Sequence, residues 1–157
     1  MKTKKNNIGS RVIGILSLAF VLMCMAPSTA SAGYGKRIAE KISNFVEYLE
    51  DQDETIACIN ADQLSSSSNT RTYTRYLYSG NDYTAVAVGD SRIADTDLVV
   101  YRKSGGSWVE VTRDADTSNA AVCTFKCNSS GDYKFEIKAY RFEDGESNGF
   151  YGFILSF

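Results

Sequence analysis

The chain opens on one long apolar run and then changes to short, regularly spaced ones. Val12 to Met25 is almost free of polar residues and follows Lys2, Lys4, Lys5 and Arg11. Small residues come next and end in Ala30-Ser-Ala32. A positive start, an apolar stretch of about 14 residues and an Ala-x-Ala end predict a secretory signal peptide over residues 1–32, cleaved after Ala32. The run is shorter than the ~20 residues that cross a bilayer. Met23 stands before Cys24, where a lipoprotein signal needs a small residue. The expectation is a secreted or periplasmic protein that is not integral to a membrane once the leader is removed.

The period then becomes helical. Between Lys36 and Glu50, Ile38, Ile42, Phe45, Val46 and Leu49 recur at the spacing of one helix face. Lys36, Arg37, Glu40, Lys41 and Glu47 lie mostly off that face, so an amphipathic helix is predicted, laid by its stripe on whatever follows. Asp51 to Glu54 breaks it. Thr55 to Asn60 reads as a short strand, and Ser65 to Thr70 as a polar linker.

Beyond residue 71 the period is that of strands. Runs at 72–78, 83–88, 98–101, 108–112, 121–125, 133–139 and 150–157 are rich in β-branched and aromatic residues, and Gly, Asn, Asp or Ser bounds each one. Tyr133, Phe135, Ile137 and Ala139 alternate with Lys134, Glu136 and Lys138. Tyr151, Phe153, Leu155 and Phe157 share one face of the last run. Seven strands at about 12-residue spacing predict an antiparallel sandwich or barrel. The expected organisation is a leader at 1–32, a helix and linker at 33–70, and a mainly β domain at 71–157. That domain is a jelly-roll-like sandwich of seven or eight strands.

Charge narrows the partners. The chain has 17 basic and 19 acidic residues, a net of −2. Four of the basic residues and none of the acids fall in the leader, so residues 33–157 hold 13 against 19, a net of −6. Nucleic acid is not an expected partner, because phosphate binding needs clustered Lys and Arg.

Three cysteines lie beyond the leader, and export places them in a compartment that permits disulfides. Cys123 and Cys127 are four apart in one strand, about 13 Å if extended. A bridge needs Cα atoms within about 7 Å, so these two should not pair unless Cys127 lies past the strand end; the readings open are Cys58 with Cys123 or Cys127, and three small buried residues without a bridge.

Histidine is absent. This excludes His-activated nucleophiles, His acid–base chemistry and His-bound zinc. No phosphate-binding glycine loop is present. Two groups of residues remain as candidates. Asp95 and Asp97, with Asp90 close in sequence, offer oxygens of the kind calcium takes. Trp108, Tyr76, Tyr78 and Tyr140 fall on outward positions, where rings stack on sugars or grip a peptide.

Residues 71–157 resemble the bacterial pre-peptidase C-terminal domain. The resemblance rests on Tyr83-Thr-Ala-Val-Ala-Val-Gly-Asp90, on Asp95-Thr-Asp-Leu-Val-Val-Tyr101, and on Ser130-Gly-Asp-Tyr-Lys-Phe-Glu-Ile-Lys138. It implies a jelly-roll-like sandwich in an extracellular setting and implies no enzyme. The expected role is a non-catalytic binding or structural module at the cell envelope or outside the cell, with an extracellular polysaccharide or protein as partner. The alternatives are a calcium-stabilised adhesion or carbohydrate-binding module and a small hydrolase using two carboxylates.

Overall fold

The computed structural model describes residues 29–157. Most of the predicted leader, residues 1–28, lies outside the described residues. Tyr34–Phe157 forms one compact unit, distinct from Met1–Gly33, and the architecture below is that of the larger unit.

Helix α1 spans Thr29–Glu50, so it begins ahead of the predicted Lys36 and runs through the expected cleavage point. Its end is closed by local bonds. Asp53 adopts a left-handed φ of 61°. The amide of Glu54 donates to the Leu49 carbonyl and that of Asp53 to the Glu50 carbonyl. This double closure caps carbonyls that a helix end leaves without partners. The expected stripe is the buried one. Ile38 and Leu49 are buried, and Ile42, Phe45 and Val46 pack with Leu49 against Val86 and Ile154.

Eight strands follow: β1 Ile56–Ser65, β2 Thr70–Leu77, β3 Asp82–Gly89, β4 Ile93–Ser104, β5 Ser107–Asp114, β6 Ala120–Lys126, β7 Gly131–Phe142 and β8 Asn148–Ser156. They form two four-stranded antiparallel sheets, ordered β1-β8-β3-β6 and β2-β7-β4-β5. Successive strands alternate between the sheets over the first four and the last four, which is the jelly-roll order. Among the described residues the fold is therefore a mainly β sandwich with one helix.

The first sheet is covered on both sides. Tyr83, Ala85, Ala87, Phe153 and Leu155 face the second sheet, while Val86 and Ile154 face α1. This explains why 83–88 reads as a continuous apolar run and 133–139 alternates: β7 has only one buried face. Between the sheets the core is aromatic. Tyr73 stacks on Phe153 at 5.2 Å, Phe135 tilts against Phe153 at 5.2 Å, and Phe125 lies 5.9 Å from Tyr133.

Two expectations need correction. The polar stretch 65–70 is not a linker between helix and sandwich. It is the tight connection from β1 to β2, and β1 pairs with β8 along its whole length, so the sandwich begins at Ile56. Cys58, Cys123 and Cys127 are all free thiols. Cys58 lies on β1 and Cys123 on β6, the opposite edges of one sheet. Three inter-strand steps separate them, about 14 Å, twice the reach of a disulfide. Cys127 follows β6 and is bonded into the core, where its thiol lies 3.4 Å from the Tyr133 hydroxyl.

Candidate functional site

The three expected calcium ligands are not brought together. Asp90 is fully buried and committed to an ion pair. Its Oδ2 accepts from Arg92 Nη2 at 2.6 Å and from the Phe150 amide at 3.0 Å, and its Oδ1 accepts from the Arg92 amide at 2.9 Å. Arg92 also donates to Asn148 Oδ1 at 2.9 Å and lies 4.0 Å from the Tyr34 ring. This cluster ties the start of α1 to the loop after β3 and to β8. Asp95 is buried nearby, with one carboxylate oxygen unbonded. Asp97 is on β4, paired in register with Lys138. Burial pushes the Asp97 carboxyl above its usual range, and the charges of Asp95 and Asp114 add to this. Among the described residues, no three acidic or cysteine side chains are close enough to hold a metal ion.

The four candidate aromatics separate into two kinds. Trp108 and Tyr140 lie on the outer face of the second sheet under lysines of that same face. Lys134 Nζ is 5.6 Å from the Trp108 ring and 4.1 Å from that of Tyr101, Lys103 Nζ is 5.9 Å from Trp108, and Lys138 Nζ is 4.7 Å from Tyr140. These are cation–π distances, so both rings already carry a partner. Tyr76 and Tyr78 meet each other edge-on at 5.4 Å and are 58% and 65% exposed. No cation lies over either ring among the described residues.

These two tyrosines stand at the rim of a cleft of about 260 Å³ where the edge strands β1 and β2 part. Its floor is Leu77, Tyr83 and Leu155, and Phe157 and the half-buried Cys58 form the far wall. The Tyr83 hydroxyl accepts from the Tyr78 amide at 3.2 Å, which fixes the chain as it leaves β2. Phe157 lies 5.7 Å from Tyr83 and exchanges backbone hydrogen bonds with Thr55. Polar reach into the cleft comes from Arg75 and Asn81, and no acidic side chain lines it.

Two further grooves flank α1. One, of about 420 Å³, runs between the helix and β6 beside Phe45 and Tyr48. There the Lys41 ammonium donates to the Gly89 carbonyl at 2.8 Å, and burial holds its pKa below the ordinary lysine value. The other, of about 520 Å³, lies beside Ile38 and Phe150 and has Asp62 as its one carboxylate. None of the three clefts presents the two facing carboxylates that glycoside hydrolysis uses.

The edge cleft thus gathers Tyr76, Tyr78 and Cys58, which the sequence singled out, with Arg75, Asn81 and Phe157, which it did not. Arg75 was findable. In β2, Arg71, Tyr73, Arg75 and Leu77 share the phase of the inward positions, and Arg75 is in register with buried Tyr133. An arginine at an inward position of an edge strand is a signal in itself.

Fold and cleft together define a β-sandwich module with an aromatic edge site. No family model matches the chain, and no curated protein does. Solved structures resemble it in fold. The pre-peptidase C-terminal domain of a collagenase from Bacillus anthracis has a TM-score of 0.49 at 14% identity, covering 62% of this chain and 87% of that one. A periplasmic inhibitor of g-type lysozyme from Aeromonas hydrophila has a TM-score of 0.40 at 14% identity, over 66% and 84%. A family 32 carbohydrate-binding module from C. perfringens, solved with galactose, has 0.34 at 13% identity, over 64% and 98%.

Proposed function

We propose that this chain is an exported, non-catalytic binding module that grips one ring of an extracellular polysaccharide in the cleft between β1 and β2. The observation that carries the reading is the contrast among the exposed aromatics: Trp108 and Tyr140 have lysines at cation–π distance on the open face of the second sheet, while Tyr76 and Tyr78 have none among the described residues and stand at the rim of an apolar cleft. A volume near 260 Å³ is just below the usual range for drug-sized ligands, about 300–1,000 Å³, and suits a single ring. Tyrosine offers such a ring an apolar face with a hydroxyl at its margin. The leader read from residues 1–32 supports export, and no helix among the described residues is long and apolar enough to cross a membrane.

Glycan-array screening tests this, followed by titration of variants with the glycan selected. Tyr76→Ala and Tyr78→Ala should each weaken binding about ten-fold, the equivalent of ~1.4 kcal/mol. Trp108→Ala should change it less than about two-fold, which is within ~0.5 kcal/mol. A blank array, or loss of binding with Trp108→Ala alone, would sink the reading.

A further inference from the structure

Arg75 is the single charged side chain that lines the edge cleft. Among the described residues it makes no ion pair; Arg71, Arg92 and Arg113 each hold a carboxylate, and Arg37, Arg102 and Arg141 do not, but of these unpaired arginines Arg75 is the one that lines the cleft. Its one hydrogen bond is from Nη1 to the carbonyl of the adjacent Thr74 at 3.0 Å. That leaves the rest of the guanidinium fork without a partner. Its strand phase turns it toward the interior side of the sheet edge, in register with buried Tyr133, and not out among the solvated charges of the second sheet. The surroundings make this unusual. Residues 33–157 carry net −6, yet no acidic side chain lines the cleft.

Resting on the reading of the cleft as a sugar site, we propose that the ring it holds bears a carboxylate: a uronic-acid residue of an acidic polysaccharide, recognised by Arg75. Guanidinium matches a carboxylate with two parallel N–H···O bonds, and such charge-assisted pairs are the stronger kind. Tyr76 and Tyr78 supply the contact with the ring face, and Arg75 fixes which ring is accepted. The pair is formed partly away from water, against Leu77 and Phe157, so the Coulomb term is less screened than at an open surface.

The test compares oligogalacturonate with the same oligomer fully methyl-esterified, two probes that differ in charge and hardly in shape. Binding to the purified protein is measured by calorimetry at low salt and again with added potassium chloride. The acid form should bind about ten-fold tighter than the ester, and added salt should erode the preference. Arg75→Gln should abolish the preference, acid binding falling to the level of the ester. Arg75→Lys should keep part of it, because the charge remains and the fork is lost. Equal binding of acid and ester, both lost in Tyr76→Ala, would overturn the carboxylate inference and leave the sugar-binding reading standing. Binding of neither form would overturn this inference too, and the array then decides the reading itself. A preference for the acid that survives in Arg75→Gln would also overturn the assignment to Arg75.

Discussion

Asp97 is a carboxylate whose surroundings oppose its charge. Burial comes first among the causes, then the charges of Asp95 and Asp114, with Lys138 and Arg113 only partly offsetting them. Its pKa is therefore higher in the folded chain than in the unfolded one, near 3.9. Between the two values the folded state binds more protons, so stability falls as pH rises through the folded pKa. Asp97→Asn should raise the melting temperature at pH 7, and the gain should vanish near pH 3, where both states of the wild type are protonated. A gain that is the same at both pH values would contradict this. Thiols give a second check at this scale. Burial pushes the Cys123 thiol up to about 11 and hides it, and Cys127 is buried against Tyr133, whereas Cys58 is half-buried at the cleft wall. Of these three thiols, one should react with a disulfide reagent in the folded protein and all three after denaturation. Three unreactive thiols without added reductant would point to oxidation and contradict the free-cysteine arrangement.

Among the elements, the seat of α1 on the first sheet depends on one missing side chain. Gly152 on β8 lies directly beneath Ile42, and a Cβ there would fall on the Ile42 side chain. Small-to-large changes in packed layers cost about 1–3 kcal/mol. Gly152→Ala should lower stability by about that amount, read as a shift of the urea midpoint; an unchanged midpoint would show that the helix is not held there. Much at this scale was legible in the sequence. Every predicted strand overlaps an observed one, because one-sided burial imposes a two-residue period and turn residues bound each run. The stripe of α1 was legible for the same kind of reason. Its start was not, since Gly33 and Gly35, poor helix formers, stand ahead of the apolar stripe yet lie inside the helix. The β1–β2 connection was misread because four consecutive serines describe a tight turn and a linker equally well. Which of four exposed aromatics is free was not legible either. For Trp108 that depends on Lys103 and Lys134, brought over the ring from other strands, and single-strand periodicity does not contain cross-strand register; Lys138, two residues before Tyr140 on the same strand, was legible.

At the scale of the whole molecule, three layers divide the work. The helix closes one face of the first sheet, the aromatic core joins the two sheets, and the second sheet presents a charged outer face. Besides the two grooves flanking α1, the seam between β1 and β2 is open, and there rings, a free thiol and a cation without an ion-pair partner among the described residues converge. The Asp90–Arg92 pair works far from that seam, as a buried tie between α1, β3 and β8. Breaking such a pair leaves an uncompensated charge, so it bears on stability and not on the cleft.

The location of binding tests this account most directly. Backbone amide NMR of the intact protein, titrated with the oligosaccharide selected on the array, reports it residue by residue. The account predicts shifts concentrated at Cys58, Arg75, Tyr76, Tyr78, Asn81 and Phe157. Shifts centred on Trp108, Tyr101 and Tyr140, with the seam unchanged, would contradict it.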